Sequence, residues 1–82
     1  MSGPNVFVTV TTWKPLYPGD PACTRTVSDT LAAAIQAGLS LSCLAGVLTV
    51  HVCEGDIAHS TYDRCDNYWR SLTEAARAAA LS

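Results

Sequence analysis

Strict alternation of side chains marks the first element of the chain. Val6, Val8 and Val10 fall on one face of an extended segment, while Phe7 and two threonines fall on the other face, which is therefore partly polar. β-Branched and aromatic side chains suit a pleated strand and lose rotamer freedom in a helix. The pattern predicts a strand over residues 5–12.

A proline-rich stretch follows over residues 13–22, with three prolines at a three-residue spacing, Pro15, Pro18 and Pro21. Three residues make one turn of a polyproline II helix, which is the geometry that SH3-like grooves recognise. Basic flanks are limited to Lys14. We therefore interpret the stretch as a stiff loop with an ordinary turn at residues 18–20.

Residues 26–38 carry the spacing of an amphipathic helix. Thr26 stands where an N-cap would accept a backbone N–H, and Asp29 follows three residues later in a capping-box-like position. The apolar positions recur at helical spacing, as Val27, Leu31, Ala34 and Ile35. Gly38 suits the left-handed position that ends a helix, so we expect the helix to stop there.

Residues 39–53 read as two strands, as a hairpin or as one broken strand. Residues 39–43 alternate with period two, residues 45–46 give a tight-turn signal, and residues 47–53 are rich in β-branched side chains. All three interpretations add strands after the first predicted helix.

A membrane span around residues 31–50 is the rival interpretation of this region. No charged side chain occurs over these twenty residues, and that length can cross a bilayer. Gly38, Gly46 and the lack of flanking Lys or Arg clusters argue against insertion. We therefore expect the segment to fold rather than to insert.

The C-terminal third has the clearest helical spacing, and we predict one long helix from Ser60 to Ala79. Its apolar positions recur at steps of three and four, as Tyr62, Cys65, Trp69, Leu72, Ala76 and Ala79. Trp69 is the expected anchor of this seam against the sheet. Arg70 belongs to the outer surface, where Asp66 is spaced for an i,i+4 ion pair.

These elements predict one α+β domain over residues 1–82, a small two-layer sandwich in the order β-α-β(β)-α. The sheet packs on two helices and leaves its other face open. A core of this size supplies only about 3–5 kcal/mol of stability, and partners or staples are common at this length. A homodimer is compatible with this low stability, because a second copy can serve as the stabilising partner.

Composition narrows the class of partner. Apolar side chains make up 49% of the chain, charged ones 15%, and the net charge is −2. This excludes intrinsic disorder, which needs low hydrophobicity and high charge, and it leaves no positive footprint for nucleic acid. We expect the partner to be another protein. The first residues lack a secretory n-region, so we expect a cytoplasmic location.

The four cysteines are expected to be reduced and mostly buried, because the cytoplasm keeps thiols reduced and free cysteine is commonly buried. They are Cys23, Cys43, Cys53 and Cys65. A zinc- or thiol-based protein is the alternative, with the ligand types that zinc favours at His51, Cys53, His59 and Cys65. The Cys-x-x-Cys and His-x-x-x-His spacings are missing, so we expect no metal and no cofactor.

The chain carries no motif of catalysis, and we expect no catalytic residues. Its serines lack a glycine elbow, and its five glycines are isolated rather than gathered in a phosphate loop. Aromatic and basic side chains instead indicate an interface, because Trp, Tyr and Arg dominate binding hot spots. The predicted interface residues are Trp13, Lys14, Tyr17, Tyr68 and Arg70.

In size, acidity and lack of motifs the chain resembles small inhibitors made by phages and mobile elements, anti-CRISPR proteins among them. Its excess of Arg over Lys and its many alanines fit a GC-rich bacterial or phage genome. The resemblance implies a non-enzymatic inhibitor or adaptor that occludes a larger protein or complex in the host cytoplasm.

Overall fold

The computed structural model describes residues 6–15, 19 and 22–81. Within them the chain forms an antiparallel five-stranded sheet and two helices. In chain order the elements are β1 (Phe7–Trp13), β2 (Ala22–Ser28), α1 (Leu31–Ser42), β3 (Val47–Glu54), β4 (Ile57–Asp63), β5 (Tyr68–Ser71) and α2 (Glu74–Leu81). The predicted α+β class is confirmed, and the sheet packs on helices as expected, with more strands than the pattern predicted.

The strand order is β2-β1-β3-β4-β5, so β3 lies at the centre and β2 and β5 are the edges. Strands β3, β4 and β5 are consecutive hairpins, whereas α1 connects the edge strand β2 to β3 on the far side of β1. Two register shifts each leave one residue as a β-bulge, Leu48 in β3 opposite the end of β1 and His59 in β4 opposite Cys53. Bulges bend a strand and increase its twist.

Both helices cover the same face of the sheet. One core cluster joins Ala34 and Ile35 of α1, Val52 of β3 and Ala76 of α2. A second cluster joins Val47, Val50 and Tyr62. Trp69 packs against both clusters, so its expected contact with the core is confirmed, but it lies on strand β5 and not on the helical seam that the sequence predicted.

The partly polar face of β1 is the one that packs under the helices. Thr9 and Thr11 are fully buried, and the Thr9 hydroxyl donates to the Ala34 carbonyl of α1 at 3.1 Å. That bond satisfies a buried hydroxyl and ties the strand to the helix. Three other buried polar atoms have no hydrogen-bond partner within the described part of the chain: Thr11 Oγ1, Ser60 Oγ and Trp69 Nε1.

The predicted start of the first helix is wrong. Residues 22–28 form strand β2, paired with β1 in an unbroken register over seven residues. Its β-branched side chains favour this pairing, which outweighs the capping pattern at Thr26. The helix begins at Leu31, and Thr30 is its N-cap, with a hydroxyl that accepts the Ala33 N–H at 3.1 Å.

The predicted helix end at Gly38 and the predicted strand over residues 39–43 are also wrong. Helix α1 continues to Ser42, and Gly38 lies inside it. Gly38 is needed for close packing, because a Cβ there would lie 2.8 Å from Cη2 of Trp69. The following strand is confirmed as β3. No helix among the described residues is long and apolar enough to cross a membrane.

The long C-terminal helix is the largest error of sequence interpretation. Strands β4 (Ile57–Asp63) and β5 (Tyr68–Ser71) occupy most of this region, and only Glu74–Leu81 is helical. The turn between these strands uses Asn67 at φ 52°, a left-handed conformation that Asn tolerates. Asp66 and Arg70 do form the expected ion pair, at 2.7 Å, but between this turn and β5 rather than along a helix.

The packing of Gly38 on Trp69 predicts a coupled effect on stability. Gly38→Ala should lower the free energy of unfolding by about 1–3 kcal/mol, because overpacking at the ring exceeds the gain of about 1 kcal/mol in helix propensity. In a Trp69→Phe background the outer indole ring atoms are gone, so the same substitution should be neutral or stabilising. Urea unfolding of the four proteins measures this cycle, and an equal cost in both backgrounds would contradict the packing.

Candidate binding surface

The sheet face opposite the helices is free of any other described element, and we call it the bare face. Alternation along each strand assigns its residues. Thr9, Thr11 and Val52 point to the helices, so Val8, Val10 and Cys53 point to the bare face.

Cross-strand register sorts the bare face into rows. The central row crosses all five strands through directly paired positions, Arg25, Val10, His51, Thr61 and Arg70. An apolar row lies on one side of it, with Val27, Val8 and Cys53 in register. The third row, on the other side, contains Cys23, Thr12, Thr49, Asp63 and Tyr68. The bare face thus combines an apolar row with a central row that has an arginine at each end, Arg25 on β2 and Arg70 on β5.

Side-chain contacts hold parts of this surface in place. The guanidinium of Arg70 stacks over the Tyr68 ring at 5.1 Å and also pairs with Asp66. His51 Nδ1 and the Thr61 hydroxyl are 3.0 Å apart across neighbouring strands. Such contacts reduce the side-chain entropy that is lost when a partner binds.

The largest apolar exposure of the bare face lies near its two edges. Val27 of β2 is 64% exposed and Tyr68 of β5 is 62% exposed. A cleft of about 420 Å³ opens beside Tyr68 and is also lined by Arg70, Leu72 and Arg77. Tyr68 and Arg70 therefore border both the bare face and a concave site at its edge.

The predicted interface residues are split between different surfaces. Tyr68 and Arg70 meet on the bare face. Trp13 points to the helix side, where it packs against the Val47 cluster and donates its indole N–H to the Thr24 hydroxyl at 2.8 Å. Lys14 is exposed just beyond β1. Tyr17 lies outside the described residues, as do Pro18 and Pro21.

A second concave region lies beside the C-terminal end of α1. A cleft of about 660 Å³ separates the loop after α1 from the β4–β5 turn, and its walls include Leu44, Tyr62 and Asn67. Arg64 crosses it and donates to the Ala45 carbonyl, while the Tyr62 hydroxyl donates to Asn67 at 2.9 Å. These two hydrogen bonds engage polar groups that line the cleft, and they hold the β4–β5 turn in place.

The residues of the alternative zinc site do not converge. His51 and Cys53 share the bare face as expected, but His59 faces the helices and Cys65 lies in the β4–β5 turn. Within the described residues no group of three or more His, Cys, Asp or Glu side chains could hold a metal ion.

The cysteines are free thiols, but the prediction that they are buried is wrong. Cys53 is half-buried, and the other three are exposed. Cys65 leaves the predicted apolar seam because residues 64–67 form a turn, not a helix. Asp63 accepts the Cys65 N–H at 2.8 Å and raises the pKa of the Cys65 thiol by a hydrogen bond and by its charge, with smaller contributions from desolvation and Asp66.

A hydroxyl, an imidazole and a carboxylate form a chain that sequence reasoning missed. The Thr73 hydroxyl accepts the Ala76 N–H at 3.1 Å and lies 2.7 Å from His59 Nδ1. His59 Nε2 lies 3.0 Å from a Glu54 carboxylate oxygen. With the imidazole neutral, Thr73 donates to Nδ1 and Nε2–H donates to Glu54.

This order of groups is also that of a hydrolase triad, yet its setting is structural. Only 5% of His59 is exposed, and its ring packs near Phe7 at 6.1 Å between centroids. The Thr73 oxygen is engaged as the N-cap of α2. We interpret the chain of bonds as a lock that joins α2 to the β3–β4 hairpin.

No protein-family model, curated protein or solved structure matches this sequence.

Removing the hydroxyl of Thr73 should weaken this lock. Thr73→Val leaves α2 without its cap and His59 Nδ1 without a partner, which should lower the free energy of unfolding by about 2–4 kcal/mol. Thr73→Ser keeps the hydroxyl and is the matched control. Urea unfolding compares the two variants, and equal midpoints would show that the hydroxyl contributes nothing.

The raised pKa of Cys65 should slow its alkylation. The thiolate is the reactive form, so a raised pKa leaves less of it at neutral pH, and the rate should climb as the pH approaches that pKa. Asp63→Asn removes the charge while its amide oxygen can still accept the Cys65 N–H, and it should therefore speed the reaction with iodoacetamide. Peptide mass spectrometry follows Cys65 alone. A smaller acceleration is expected for Asp66→Asn, and no acceleration for Asp63→Asn would contradict this cause.

Proposed function

We propose that this protein is a non-enzymatic protein-binding module, an inhibitor or adaptor that covers part of a larger protein, and that it binds through the bare face. The observation that carries the proposal is the placement of both helices on one side of a five-stranded sheet. The other side keeps an apolar row beside basic and aromatic groups. A rigid sheet presents these groups with little conformational entropy left to lose.

The chemistry of the bare face favours a protein partner. Its area is broad and its apolar strip is continuous across three strands, from Val27 through Val8 to Cys53. Tyr68 and Arg70 supply the aromatic and guanidinium groups that are typical of hot spots. Nucleic acid is a poorer fit, because Arg70 is already paired with Asp66 and the whole chain is acidic.

The structure shifts the proposed contact away from Trp13, which packs on the helix side. Tyr68 and Arg70 remain in the proposed interface, and the neighbouring cleft can receive a partner side chain. The role of the loop around Tyr17 stays a prediction from the sequence. We further propose that the protein belongs to the functional class of small phage or mobile-element inhibitors and acts in the host cytoplasm, as its size and composition indicate.

Site-specific photocrosslinking tests the proposal. A photoreactive phenylalanine analogue replaces Tyr68 in one protein and Gln36, exposed on α1, in the control. We expect position 68 to capture one host protein, with competition by unlabelled protein, and position 36 to capture none of it.

The captured partner is then purified and its affinity measured. Tyr68→Ala should weaken binding about 30-fold, which corresponds to the loss of about 2 kcal/mol at a hot spot. Gln36→Ala should bind like the parent. Full affinity of the Tyr68 variant would overturn the bare face as the interface, and a loss in Tyr17→Ala instead would assign binding to the loop.

A further inference from the structure

The edge strand β2 is held by very few contacts. Six of its seven residues are exposed, and none is fully buried. Its backbone pairs with β1 along one edge only. The bond from Trp13 to Thr24 is its only side-chain hydrogen bond within the described residues.

Strand β2 has few of the features by which proteins protect an exposed edge. Short length, charged side chains, Pro and β-bulges normally prevent edge-to-edge pairing. The segment Ala22–Ser28 has one charged residue, Arg25, contains no Lys and no Pro, and has no bulge in its register with β1. The opposite edge, β5, is only four residues long. Among the described strands, β2 is thus the one long edge, and Arg25 is the one charged side chain that protects it.

Energetics point the same way. Ordering the backbone costs about 1–2 kcal/mol per residue, and strands normally offset this cost by burying side chains. Strand β2 buries almost nothing, so a ladder on one side carries most of its ordering. A second ladder on its free edge would make it an interior strand and would need no change in its conformation.

We propose that this protein is a homodimer in which β2 pairs antiparallel with the β2 of a second copy, making one continuous ten-stranded sheet. A second copy fits because the pairing is isologous: each strand offers the same extended edge to the other. A two-fold axis perpendicular to the sheet keeps the helices of both copies on one side and joins their bare faces on the other. This dimer is independent of the proposed binding function.

Charge selects the register of the pair. A two-fold axis at Arg25 would place two guanidinium groups directly opposite each other, which destabilises a strand pair. An axis at Thr26 instead places Val27 opposite the partner's Arg25, whose aliphatic stem can cover the exposed valine. Thr24 then faces the partner's Ser28. We assign the axis to Thr26.

Two substitutions at one exposed site test both the dimer and its register. Val27→Lys places a cation opposite the partner's Arg25 and should halve the mass measured by analytical ultracentrifugation, from twice 8.7 kDa to 8.7 kDa. Val27→Glu places an anion there and should stay dimeric. Leu72→Lys, at a site of similar exposure near β5, is the control and should also stay dimeric. Circular dichroism checks that each variant is folded.

Amide hydrogen exchange gives a second readout. In a monomer, alternate β2 amides point away from β1 and exchange quickly, whereas in the dimer consecutive amides from Thr24 to Ser28 should be protected. Val27→Lys should restore the alternation. A monomeric parent protein or alternating protection in the parent would overturn the dimer, and a dimeric Val27→Lys would overturn the register with its axis at Thr26. A monomeric Val27→Glu would overturn the Thr26 register, and a monomeric Leu72→Lys would overturn β2 as the interface.

Discussion

Close approach of α1 to the sheet is the constraint on which the rest of the fold depends. Gly38 and Ala34 present almost no side chain at the contact, so the Trp69 ring can lie against the helix and Thr9 can reach a helix carbonyl. The indole then joins two core clusters whose buried members are few: Ala34, Ile35, Val52 and Ala76 in one, and Val47, Val50 and Tyr62 in the other. A core of this kind is well packed yet contains little apolar volume, and all of it lies on one side of the sheet.

The parts of the fold that sequence reasoning predicted are those in which local pattern and tertiary contacts agree. The first strand and β3 carry β-branched residues and pair with each other at the middle of the sheet. The α+β class and the open face followed from them. Trp69 was assigned to the core for the wrong reason, since it packs from a strand and not from a helix.

The failures have a common physical cause. Spacings of three and four residues in the C-terminal third come from two short strands and a four-residue turn, whose combined lengths mimic a helical period. Thr26 fits the N-cap pattern of a helix, but the segment around it forms seven residue pairs with β1 and is therefore a strand. Tyr68 and Arg70 could be selected as surface residues from their chemistry alone. The alignment of Arg70 with His51 and Arg25 in one row could not be predicted, because a row across a sheet exists only once the register of its strands is known.

The bulges at Leu48 of β3 and at His59 of β4 bear on the directions from which partners can approach this small protein. Neighbouring strands in a sheet rotate by roughly 20–25° relative to each other, and bulges add to that rotation. At that average rate, the four steps from β2 to β5 would rotate one edge strand by on the order of 80–100° relative to the other. Molecules that dock at β2 and at β5 therefore approach along different axes, and the sheet can act as a right-angled bracket between them.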